Sequence, residues 1–154
     1  MSTNKRLSAF VDTRSTWLVM LATAVWLAAT AGIRPLMLPD EGRYVGVAWE
    51  MLTAADWLVP RLDGMPFFHK PPLFYWLTTL SLSLFGAHEL PARAASLLAG
   101  LFAAVGLYRF VRRYRDSQLA TLSIVTLVTQ PIFYAGSQFA NLDMLVAGLL
   151  TLTI

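Results

Sequence analysis

Asp40 and Glu41 stand side by side in the stretch Leu38-Pro39-Asp40-Glu41-Gly42-Arg43-Tyr44, and His69-Lys70 follow before the next long apolar run. Carboxylates so placed can take a proton from an incoming hydroxyl or amine, and the cations can hold a phosphate or neutralise it as it leaves. Each group also has a plainer reading. Asp40 after Pro39 makes a good helix N-cap, and Glu41 in a first turn complements the helix dipole. Arg43 and Arg61 suit headgroup contacts, Lys70 an interfacial snorkel and His69 a surface imidazole. Singly none is diagnostic, so the elements that carry them must decide.

Those elements are apolar. The chain has 154 residues, of which 56% are hydrophobic and only 14% charged, with a mean hydropathy of +0.57. That is too apolar for a water-soluble domain of this size and marks an integral membrane protein. The net charge of +3 does not point to nucleic acid. Lys5, Arg6 and Arg14, and then Arg109, Arg112, Arg113 and Arg115, cluster beside apolar runs as juxtamembrane anchors do. With no cysteine, disulfides and thiolate metal sites are excluded.

About 20 residues cross a bilayer. Residues 15–33 carry no charge and form a first span. A second covers 91–111, with Arg93 and Arg109 near its ends, where they can snorkel. Residues 117–142 are uncharged with Pro131 inside, giving a third span over 117–138. Another apolar run opens at Met144 and continues to Ile154 as a truncated span, so the chain reads as an N-terminal fragment. Leu73 to Phe85 is too short to cross comfortably. Treating it as an interfacial or re-entrant helix keeps both basic clusters in the cytoplasm and makes 34–90 one external loop. Within that loop Tyr44, Val45, Val47, Ala48, Met51 and Leu52 recur at helical spacing, predicting an amphipathic helix over Asp40 to Leu52. A cleaved signal peptide at Ala29-Thr30-Ala31 is the competing reading of the N-terminus, against which the first run is too long.

Carboxylates and cations gathered in one external loop at a membrane surface supply the minimum chemistry for moving a group off a lipid-phosphate carrier. Three submotifs of the loop, Pro39-Asp40-Glu41 with Arg43-Tyr44, Glu50-Met51-Leu52 with Asp56-Trp57 and Val59-Pro60, and Lys70-Pro71-Pro72-Leu73 with Tyr75-Trp76, occur in order. The loop so marked resembles the first external loop of the polytopic GT-C glycosyltransferases that use polyprenyl-phosphate sugars. The aminoarabinose transferases of lipid A are the nearer branch and the protein mannosyltransferases the more distant one. The likeness extends more weakly to Asn141-Leu142-Asp143.

This resemblance implies an all-α polytopic membrane protein, here the N-terminal part of a GT-C transmembrane domain whose long first external loop contains interfacial helices. It implies that Asp40 is the acidic residue of the catalytic centre and base for the acceptor, with Glu41 in support. Lys70 would face the donor phosphate, Arg43 would share that role, and Asp143 would be a second acidic position, with an interfacial helix cap as its plainer reading. Where aminoarabinose transferases carry a Glu before the Lys, this chain has His69, a good ligand for zinc and a poorer one for magnesium or calcium, so a divalent ion enters as an open expectation. The implied partners are a polyprenyl-phosphate-linked sugar, a lipid, glycan or protein acceptor, and the bilayer, with no nucleic acid. The implied location is a bacterial inner membrane, crossed several times, with the loop on the periplasmic or extracellular side. The fragment alone is expected to be inactive. A non-catalytic scaffold, needing the acidic pair only as a cap, is the alternative. A transporter would place ionisable groups near the midplane of its spans, where none is seen.

Overall fold

The computed structural model describes the backbone of residues 2–153 and the side chains of residues 16–153. The side chains of Lys5, Arg6 and Arg14, on which the expected sidedness leans, lie outside the described residues. The elements follow as α1 (Ser2–Ala31), α2 (Asp40–Thr53), β1 (Arg61–Leu62), β2 (Met65–Pro66), α3 (Leu73–Phe85), α4 (Glu89–Tyr114), α5 (Ser117–Val128), α6 (Pro131–Ser137) and α7 (Leu142–Leu152). Apart from the small antiparallel ribbon β1–β2, the regular structure of the described residues is all α-helix.

Among the described residues α4 alone is long and apolar enough to cross a membrane unaided, at about 39 Å. Thr16–Ala31 supplies a shorter apolar stretch of α1. The third apolar run is broken: α5 and α6 meet at 72°. Gln130 is extended, at φ −70° and ψ 125°, because it precedes a proline, and Pro131 opens α6 at a position where its missing N–H costs nothing. The third span expected over 117–138, with Pro131 inside, is bent at that proline into two helices.

Small residues bring the helices close. Ala92, Ala95, Ser96, Ala99, Gly100 and Ala103 are buried along α4, and Gly148 of α7 lies directly against the Ala99 backbone. Where lipid offers no hydrophobic drive between helices, such close approach is what packing relies on. Large apolar side chains instead point outward, among them Trp17, Leu21 and Val25 on α1, Leu84 on α3 and Leu122 on α5. An apolar exterior around a tightly packed small-residue interior is the surface of a membrane protein.

The segment between α1 and α4 docks on this bundle. Val45, Val47, Ala48 and Met51 of α2 join Phe74 and Tyr75 of α3, Ala92 and Ala95 of α4, and Leu142 and Met144 of α7 in one core. The amphipathic helix expected over Asp40 to Leu52 is thus observed, one residue longer, with Tyr44 and Leu52 at the edge of its buried face. α3, at about 20 Å, is tied to α2 where Thr79 Oγ1 donates to the Ala48 carbonyl at 3.0 Å.

Candidate active site

Asp40 opens α2 but does not cap it. Pro39 occupies the N-cap, and no side chain bonds the free amides there. The Asp40 carboxylate is exposed, and its Oδ1 lies 3.3 Å from Nη2 of Arg43, three residues on. Capping is therefore not its task, although its charge still complements the first turn. Asp40 and Arg43 present a carboxylate and a cation together at one accessible spot.

Glu41 faces the other way. The sequence places it in support of catalysis; the structure buries it completely. Nε of Arg93 donates to Oε1 at 2.7 Å and Nη2 to Oε2 at 3.0 Å. Arg34 Nη1 approaches Oε2 at 3.0 Å. The backbone amides of Met37, at 2.8 Å, and Ala140, at 2.9 Å, complete the shell. Burial by itself pushes the Glu41 carboxyl up, but the Arg93 bonds, the two amides and the Arg93 charge outweigh it and hold the group at about 2. Glu41 is held as a buried, paired anion.

Arg93 corrects a second expectation. It does not snorkel: only 1% of it is exposed. Besides Glu41, it donates to the carbonyls of Ala31, of Arg34 at 2.7 Å and of Pro35 at 3.1 Å. The carbonyls of Ala31 and Arg34 are ones that the end of α1 and the turn after it would otherwise leave unpaired, whereas that of Pro35 also accepts from Arg34 Nη1 at 3.3 Å. A signal was present in the sequence. Arg93 shares a helical face with Ser96 and Gly100, and a cation among small residues points into a bundle.

The submotifs further along the loop are largely scaffold. Glu50 accepts the amides of Asp63 and Gly64 at the tip of the β1–β2 ribbon. Both tip residues have positive φ, 53° and 75°, which an Asp-Gly pair adopts readily. Asp56 accepts from Leu58 and Val59, and the Trp76 indole donates to the Trp57 carbonyl at 2.7 Å. Lys70 follows this frame half-buried, and it forms no ion pair among the described residues. His69 is exposed with its ring 4.7 Å from that of Phe67.

Asp143 is exposed in the first turn of α7. Asn141, whose Oδ1 accepts from the Met144 amide at 2.8 Å, is the cap, so Asp143 is not. Among the described residues no three His, Asp or Glu side chains gather to hold a metal ion. His69 by itself does not make such a site.

A helical membrane bundle carrying a charge-bearing interfacial segment of this form is the architecture of the GT-C membrane glycosyltransferases. The crystal structure of ArnT from Cupriavidus metallidurans bound to undecaprenyl phosphate superposes with a TM-score of 0.81 at 32% identity, over 88% of this chain and 25% of that one. The chain belongs to the dolichyl-phosphate-mannose-protein mannosyltransferase family, whose pattern matches residues 69–154. It is also similar to the undecaprenyl phosphate-alpha-4-amino-4-deoxy-L-arabinose arabinosyl transferases of Shewanella sediminis, 36% identical over 60% of this chain and 17% of that protein, and Pseudomonas aeruginosa, 30% identical over 84% and 24%. The chain thus spans a quarter or less of the length of these relatives.

Proposed function

We propose that this chain forms the catalytic loop and first spans of a membrane glycosyltransferase that moves a sugar from a polyprenyl phosphate to a lipid, glycan or protein acceptor. The observation that carries the reading is the likeness, over nearly the whole chain, to a transferase solved with undecaprenyl phosphate. The exposed Asp40–Arg43 pair gives that reading a place for the chemistry. Asp40 takes the proton of the acceptor hydroxyl or amine. The acceptor atom bonds to the anomeric carbon, the bond from that carbon to the phosphate oxygen breaks, and the electron pair leaves with the polyprenyl phosphate. Lys70 and Arg43 hold the phosphate as its charge grows. The loop works at the periplasmic or extracellular face of a bacterial inner membrane, where a donor can enter sideways from the bilayer.

The test is transfer from a polyprenyl-phosphate sugar by the full protein in liposomes. Asp40→Asn keeps the shape and removes the base. Turnover is expected to fall roughly 10²- to 10⁴-fold with folded yield and donor binding intact. A folded, fully active Asp40→Asn protein would sink the proposal.

A further inference from the structure

Asp40 and Asp143 lie on different elements, α2 and α7, yet one side chain links their surroundings. Glu41, bonded covalently to Asp40, accepts the amide of Ala140, three residues before Asp143. On the α7 side Ser96 Oγ of α4 takes the Asn141 amide at 3.2 Å, and the Asn141 cap then fixes the first turn. On the α2 side Glu41 takes the Met37 amide and sets the angle at which the helix begins. The position of Asp40 relative to Asp143 therefore depends on where the Glu41 carboxylate is held.

Arg93 holds it. A guanidinium has five N–H donors in a rigid fork, and here each has an acceptor: Nε and one Nη2 hydrogen on Glu41, the other Nη2 hydrogen on Pro35, and the two Nη1 hydrogens on Ala31 and Arg34. Lysine carries the same charge with three donors on a flexible stem and cannot reproduce that set. Neutralising Glu41 would take any cation, whereas aiming it takes this one.

We propose that Arg93 is a positioning residue for the transfer reaction, fixing Asp40 against the start of α7 through Glu41. The inference rests on the reading of Asp40 as the base. Its test is built so that the two can fail separately. Single cysteines replacing the exposed Trp49 of α2 and Val146 of α7 carry spin labels in the full protein, with any native cysteine first replaced by serine, and the distance between them is measured beside kcat and donor KM per folded molecule. Arg93→Lys and Arg93→Met are expected to broaden or displace that distance and to lower kcat roughly 10- to 100-fold, with donor KM within about threefold. A residue that merely stabilises the fold would lower folded yield and leave kcat per folded molecule alone. An unmoved distance overturns the inference whatever happens to turnover. A moved distance with undiminished kcat also overturns it, whereas an active Asp40→Asn protein in which the distance still moves isolates the failure in the reading of Asp40. Should both single variants fail to fold, Glu41→Gln with Arg93→Met leaves no unpaired buried charge; the same distance and kcat are then measured, and an unmoved distance or an undiminished kcat again overturns the inference.

Discussion

Glu50 reaches from α2 across the loop to the ribbon tip, where one carboxylate oxygen receives the Gly64 amide at 3.1 Å and the other the Asp63 amide. Asp63 and Gly64 sit ahead of Phe67, His69 and Lys70, so this link governs how the Lys70 segment leaves the ribbon. Glu50→Ala is expected to cost about 1 to 2 kcal/mol of loop stability and to expose the tip to proteolysis, with the spans unaffected. Equal protease resistance in the variant and the parent would show that the ribbon holds itself.

Glycines in the bundle and in the loop should respond with opposite signs. A Cβ at Gly148 would stand 2.3 Å from the Ala99 carbonyl oxygen, so Gly148→Ala must drive α4 and α7 apart. A loss of at least about 1 to 3 kcal/mol is expected. At Gly46, inside α2, the nearest atom is Leu62 Cδ1 at 3.5 Å. Gly46→Ala should therefore raise stability by about 0.5 to 1 kcal/mol through lower chain entropy. Melting temperatures in detergent order the two, and a stabilised Gly148→Ala protein would contradict the close α4–α7 packing.

The Glu41 carboxyl, held at about 2 against an ordinary 4.5, makes acid the dangerous direction. A depressed folded value gives stabilisation that is complete above about 4.5 and is lost as pH falls from there toward 2, on the order of 3 kcal/mol in all. Melting scans over that range should show the loss in the parent. In Glu41→Gln, already weakened at neutral pH by leaving Arg93 uncompensated, the acid slope should be shallower. Parallel slopes in the two proteins would assign the acid sensitivity to other carboxylates.

Sidedness is checked by cysteines at Ala87 and Arg115, both exposed and on opposite ends of α4. An impermeant thiol reagent added outside should label the first and spare the second. Labelling of Arg115→Cys alone would invert the topology.

Lys70→Met keeps the apolar stem and removes the cation. Donor KM should rise along with the fall in turnover if Lys70 meets the phosphate, in contrast to Asp40→Asn, which leaves donor binding intact. A Lys70→Met protein with unchanged donor KM would take Lys70 out of the donor site.

Much of this arrangement is legible in the sequence wherever one local period decides it. The spacing of Val45, Ala48 and Met51 describes α2 because a helix docked by one side needs a single apolar face. Pro71-Pro72 before Leu73 and Gly86 after Phe85 bound α3 where it is found. Asp63-Gly64 is a common hairpin turn pair, but two residues per strand are too few to show alternation. What sequence does not supply is pairing at a distance. Glu41 and Arg93 are 52 residues apart, and a carboxylate beside Asp40 looks no different whether it faces substrate or core. Pro131 is visible inside its run, yet only the direction of the chain after Gln130 turns a tolerated proline into a corner.

The shell around Glu41 also imposes an order of assembly. The carboxylate reaches the membrane with the loop, Arg93 with the next span, and the Ala140 amide only after the broken third run has entered. A nascent chain halted after α4 can neutralise the buried anion but cannot complete its hydrogen bonds. The loop therefore cannot be finished before the helices that follow it are in place, and its maturation becomes a report on how far assembly of the chain after it has progressed.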